Sequence, residues 1–174
     1  MAQTFDLLIR GGEVVNHEGR GQRDIGIRSG RIAAIGDLKS DKATEVIDAK
    51  GLTILPGVID SQVHFREPGL EHKENLQTGS KAAVLGGVTA VFEMPNTNPL
   101  TTSAETLADK LARAKTMYCD HAFFVGGTRE NIADIPKLEK LEGSAGIKVF
   151  MGSSTGNLLV DDDPSLDKII ASLS

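Results

Sequence analysis

Up to about residue 56 the apolar positions fall in short runs cut by glycine. Residues 5–10 are apolar and strand-like, Gly11-Gly12 interrupts them, and 13–15 resume before a turn at His17-Glu18-Gly19. Asp24-Ile25-Gly26-Ile27-Arg28 alternates polar and apolar side chains, the period of a strand with one buried face. Ser29-Gly30 then turns the chain into 31–36, which predicts a hairpin. Residues 45–48 and 52–55 are expected to complete an antiparallel unit, and no helix is predicted before residue 56.

Beyond Pro56-Gly57 the rhythm changes. Strands are predicted at 58–64, 88–94, 121–125 and 146–151. Helices are predicted near 72–85, at 103–118, briefly at 136–141, and from 164 to 173. Thr102 and Glu105 fit a capping box for the second helix, and Leu107, Leu111, Ala114 and Met117 recur along one face of it. Gly86-Gly87 supplies a glycine stop after Ala82-Ala83-Val84-Leu85. Strand and helix in alternation imply parallel strands joined by crossover helices. Four such strands fit within 58–151, whereas a closed (β/α)8 barrel takes roughly 250 residues. The fold class expected is therefore α/β. Either the chain holds the first half of a TIM-type barrel over 56–174, preceded by a small β segment over 1–55, or the second region is a compact open sheet.

Composition narrows the function classes. The 174 residues carry 19 Lys plus Arg against 24 Asp plus Glu, a net charge of −5, which gives no general hold on phosphates and argues against nucleic-acid binding. No apolar run approaches the ~20 residues of a membrane span. The single cysteine, Cys119, cannot form an internal disulfide, and the N-terminus has no basic, apolar leader, so a cytoplasmic location is expected. Aromatics make up only 4%, so the core must rest on aliphatic side chains.

The richest segment for chemistry is Asp60-Ser61-Gln62-Val63-His64-Phe65-Arg66-Glu67-Pro68-Gly69, at the end of a predicted strand, where α/β folds place their sites. Alternation sets Asp60, Gln62 and His64 on one face, a polar column that is costly to bury unless something satisfies it. A metal ion would do so, and so would the hydrogen bonds of a structural histidine. Lys148, ending the fourth strand, equally suits a solvated strand-end lysine. Arg66 suits a surface ion pair with Glu67 or Glu71, and Asn96 a turn beside Pro95.

Pro56-Gly57-Val58-Ile59-Asp60 with Val63-His64-Phe65-Arg66-Glu67-Pro68-Gly69 resembles the first metal-binding strand of the amidohydrolase superfamily. The Arg-Glu-Pro-Gly tail resembles that of dihydroorotases of the long, multidomain-related type. Met94-Pro95-Asn96-Thr97-Asn98-Pro99 is similar to that family's second signature, and Gly146-Ile147-Lys148-Val149-Phe150-Met151 to the strand bearing its metal-bridging lysine. The strand-rich start resembles the N-terminal part of the family's small β-sandwich.

The resemblance implies an enzyme that interconverts dihydroorotate and N-carbamoyl-aspartate in pyrimidine biosynthesis. It implies zinc, one or two ions, held by His64 and by Lys148 as its carbamate, an anionic oxygen donor that an ammonium cannot be. Arg66 and Asn96 would hold the substrate carboxylate, the guanidinium through its planar fork. Hydantoinase-like and allantoinase-like relatives generally lack that arginine. The family pattern Asp-x-His-x-His is broken by Gln62, a neutral and poorer zinc donor that would still stand in the metal position. The later ligands of the pattern have no counterpart, so no catalytic residue is assigned within the chain, and it is expected to be the N-terminal part of a longer enzyme. The alternatives are a non-catalytic scaffold, self-associating or bound to a carbamoyltransferase, and another cyclic-amide hydrolase.

Overall fold

The computed structural model describes residues 4–153 and 157–173. The chain divides into two compact units, Met1–Pro56 and Gly57–Ser174.

The first unit is a five-stranded sheet. Strands β1 (Thr4–Asn16), β2 (Gly19–Arg28), β3 (Arg31–Gly36) and β4 (Lys42–Asp48) lie in the order β3-β2-β1-β4, and the short β5 (Thr53–Ile54) also pairs with β1. The hairpin β2–β3 forms as the pattern predicts. Gly11-Gly12 does not end a strand. It is absorbed as an irregularity between Ile9 and Gly12, with Gly11 at φ +72° and its N–H donating to Asp24 Oδ1 at 2.9 Å.

The expected all-antiparallel unit is corrected, because β4 and β5 run parallel to β1. Residues 37–41 carry the chain from β3 to the opposite edge of the sheet and bury Leu38 on Phe5 and Leu8. Asp24 Oδ2 accepts the Leu38 N–H at 3.2 Å, and Arg10 Nη2 donates to Asp41 O at 2.6 Å. A short polar stretch with one leucine reads as a turn, but here it is a crossover.

The second unit is a parallel sheet in sequential order: β6 (Val58–Val63), β7 (Val88–Glu93), β8 (Asp120–Gly126) and β9 (Ser144–Lys148). Between and after them come α1 (Leu76–Leu85), α2 (Ala104–Arg113), α3 (Ile135–Leu138) and α4 (Asp163–Ser172). Phe65, Leu76, Val91, Leu107, Ala114, Phe123, Val125 and Leu138 form the core between helices and sheet. This is the expected α/β architecture, a β-sandwich-like sheet followed by successive β/α units of a TIM-type barrel.

Local differences have local causes. Helix α1 starts at Leu76 rather than near 72, because Asn75 Oδ1 accepts the Thr78 N–H at 2.8 Å and Glu67 Oε2 accepts the Leu76 N–H at 2.9 Å. Its glycine stop forms: the Gly86 N–H reaches Ala82 O and Ala83 O, and Gly87 takes φ +88°. Helix α2 is capped one residue later than expected, by Ser103 with Thr106, and tightens into a 3-10 turn at Ala114–Thr116. Strand β9 begins and ends earlier than expected, and Phe150 lies beyond it in an isolated bridge to Leu159.

Candidate active site

The carboxyl ends of β6, β7 and β9 carry the residues singled out in the sequence. The chain leaving β6 is fixed to the chain leaving β7 by the Met94 N–H, which donates to Val63 O at 3.0 Å, and by the Asn98 N–H, which donates to Pro68 O at 2.9 Å. Phe65 is the anchor between His64 and Arg66. It is buried, and α1 approaches it at Gly79, where a Cβ would stand 2.5 Å from Phe65 Cδ1. Arg66 takes φ +67°, in the left-handed region that a bulky residue rarely occupies, and its carbonyl accepts the Leu70 N–H at 3.0 Å. The strain is consistent with a side chain whose direction matters.

His64 is half-buried and hydrogen-bonded to the Asn96 side chain. Burial lowers its pKa first, and the nearby positive charge of Arg66, with lesser contributions from Lys110 and Lys148, lowers it further against the opposing effect of Asn96. The shift favours the neutral imidazole, the form that can offer a lone pair to a metal. His64, Arg66, Asn96 and Lys148 therefore share one electrostatic neighbourhood. Lys148 is half-buried, with Nζ 5.2 Å from the Phe150 ring centroid.

Two bland alternatives do not hold. Arg66 forms no ion pair among the described residues: Glu67 instead accepts the Leu76 N–H and lies 3.4 Å from Arg113 Nη1, and Glu71 also faces Arg113. Asn96 is buried and bonded to His64, which is more than a turn role. Gln62 stands apart. It is exposed on β6, its side chain makes no hydrogen bond among the described residues, and only its backbone N–H is engaged, by Asp60 Oδ1 at 3.0 Å.

The donors present fit part of a metal site rather than a whole one. Among the described residues no three His, Cys, Asp or Glu side chains are grouped to hold an ion. His72 is exposed before α1, His17 lies in a turn, and His121 Nδ1 is occupied by Cys119 O at 3.1 Å. What remains is the His64 imidazole, the half-buried Lys148 and the exposed Gln62 amide.

Two features escaped the sequence reading. Glu93 and Lys110 form a fully buried ion pair, Nζ to Oε2 at 2.8 Å, beneath the loops that bear His64 and Asn96. The available signal was Lys110 falling on the same helix face as Leu107 and Ala114, where a charge needs a partner. Asn131, also buried, bridges the loops after β7 and β8 through Thr102 O, Gly126 O and the Thr128 N–H.

Comparison with known proteins settles the lineage. The model of the dihydro-orotase-like family matches residues 51–146, more than half of the chain. The chain belongs to the dihydro-orotase-like family. This places it in the amidohydrolase superfamily. Among curated relatives, this dihydro-orotase-like chain is 42% identical over 155 residues to an allantoinase of Rubrobacter xylanophilus, covering 88% of the chain and 34% of that protein. It is 36% identical over 162 residues to an allantoinase of Salmonella choleraesuis, covering 92% and 35%. Among solved structures it superimposes on the L-hydantoinase (dihydropyrimidinase) of Arthrobacter aurescens with a TM-score of 0.87 at 31% identity, covering 95% of the chain and 37% of that one. The dihydropyrimidinase of Brevibacillus agri NCHU1002 gives 0.79 at 31%, with coverage of 95% and 37%. The chain spans about a third of the length of the relatives it matches. These relatives carry the names of allantoinases and hydantoinases, which favours the broader cyclic-amide expectation over dihydroorotase in particular.

Proposed function

We propose that this chain supplies the first half of the active site of a metal-dependent hydrolase that opens a cyclic amide ring. The observation that carries the reading is the placement of half-buried His64 at the carboxyl end of β6, bonded to the Asn96 side chain that follows β7, with Arg66 and, more weakly, Lys148 in the same electrostatic neighbourhood. His64 and the carbamate of Lys148 would hold the ion, zinc being the reading's choice, with further donors needed to complete the site. A bound metal supplies Lewis acidity toward the ring carbonyl and, by lowering the pKa of water, a nucleophile at neutral pH. Asn96 keeps the His64 ring oriented, and burial, with the nearby cations, disfavours its protonation. Arg66, with no carboxylate partner among the described residues, offers its fork to an oxygen-rich edge of the substrate. A cytoplasmic location belongs to the same reading, supported by the lone Cys119 and by the fact that no described helix is long and apolar enough to cross a membrane.

The names of the relatives support a neutral ring such as allantoin or hydantoin as the substrate. A second reading, dihydroorotate, is favoured by one observation: Arg66 has no ion pair within the described residues, which suits a substrate carboxylate. The test is ring opening of the three compounds by the protein expressed from its whole reading frame. Replacing Arg66 by Met should raise the KM for dihydroorotate about 10- to 100-fold, the loss of a hydrogen bond between charged groups, and that for a neutral ring by less. Failure of the wild type to open any of the three rings overturns the proposal.

A further inference from the structure

We propose that Glu93 and Lys110 are positioning residues that set the His64–Arg66 segment and the Asn96 loop against each other from below. Lys110 Nζ, on α2, donates to Met94 O at 3.1 Å and pairs with Glu93 Oε2 at 2.8 Å; both side chains are essentially inaccessible, at 0% and 1%. The Phe65 backbone N–H lies close enough to the same carboxylate to lower the Glu93 pKa. The pair thus reaches the peptide between His64 and Arg66 on one side and the peptide two residues before Asn96 on the other. The Met94 N–H to Val63 O bond closes the link between the two segments.

A purely stabilising role is a poor account of such a pair. Removing two charges from water is expensive, and apolar side chains of similar volume in the same place commonly leave a protein as stable or more so. What apolar side chains cannot do is aim two backbone groups. Burial drives the Glu93 pKa up and the Lys110 pKa down, each opposed by the partner's charge, so the two ions depend on one another. Lys110 also adds to the positive potential at His64 and sits 5.3 Å from the Phe123 ring centroid, which fixes its head group from the sheet side.

The inference rests on the proposed function for its catalytic meaning, so the decisive readout is independent of turnover. Hydrogen exchange at the Phe65 amide is compared with that at the buried Val125 amide in the whole protein. The variants are Glu93→Met/Lys110→Met, which removes both charges and the acceptor, and Glu93→Gln/Lys110→Met, which removes the charges but keeps an acceptor for Phe65. The first should lose Phe65 protection at least tenfold relative to Val125, with its Tm within a few degrees of the wild type. It should also bind zinc at least tenfold more weakly, and the second should recover both readouts to within about threefold. Unchanged Phe65 protection in the Met/Met protein overturns the inference. So does a loss that Phe65 and Val125 share, or one that the glutamine variant fails to restore, since each marks a structural role. A wild type that opens no ring while these exchange ratios hold defeats the proposed function and leaves the positioning role standing.

Discussion

Asn131→Ala offers a sharp test of how the carboxyl ends of the strands are held. The side chain accepts the Thr128 N–H at 2.9 Å and donates to Thr102 O and Gly126 O, both at 2.8 Å. Truncation deletes all three bonds, each with a net value of about 0.5–1.5 kcal/mol. Thr128 and Gly126 are buried whereas Thr102 is half-buried, so water can reach one of the three abandoned groups and leaves two without a partner. A loss near the middle of the range, about 3 kcal/mol, is expected. With a urea dependence of about 1–3 kcal/mol per molar, the midpoint should fall by roughly 1–3 M. Tyr118, the single Tyr of these 174 residues, lies in the Gly57–Ser174 unit, and its fluorescence reports on that unit. Asn131→Asp is the control: it keeps the acceptor for Thr128 but turns an oxygen toward two carbonyls, and should be at least as damaging at pH 7. A loss below about 1 kcal/mol in the alanine variant would refute the reasoning.

Other outcomes follow from the same structure. Gly79→Ala pushes a methyl into the Phe65 ring, 2.5 Å from Cδ1 before relaxation, and should destabilise the protein by about 1–3 kcal/mol in thermal unfolding. Asp162 caps α4, and its hydrogen bonds with Ser165, then with Arg129, hold its pKa at about 2. Because the folded value lies below the unfolded one, its contribution is intact above about pH 4 and is lost as the pH falls toward 2. Circular dichroism should show acid loss of helicity that Asp162→Asn flattens.

Much of the architecture was legible in the sequence because period and punctuation agree. Alternation at 24–28 with Ser29-Gly30 gives the hairpin, and the Leu107–Ala114 face with Gly86-Gly87 places two helices. The parallel pairing of β4 was not legible, since its cause is the tertiary burial of Leu38 across the sheet rather than any local preference. Cap positions shifted by one residue at α2 because Ser103 and Thr106 satisfy each other as well as Thr102 and Glu105 would. His64, Arg66, Asn96 and Lys148 were found through motif resemblance, and the structure brings them into one neighbourhood. Gln62 stands where the family pattern has its first histidine, yet its exposed side chain is engaged with nothing described. The Glu93–Lys110 pair was missed because a buried ion pair formed by residues 17 positions apart leaves only a misplaced charge in each pattern.

The central claim is that a hydrolytic metal centre is organised between His64 and Lys148. Its most direct test is the metal content of the whole protein after dialysis against a chelator, compared with Lys148→Ala. The account predicts that the wild type retains a divalent ion, that the alanine variant loses it at least tenfold more readily, and that Gln62→His tightens retention. A wild type without metal, or an alanine variant that keeps its ion as well as the wild type does, would contradict it.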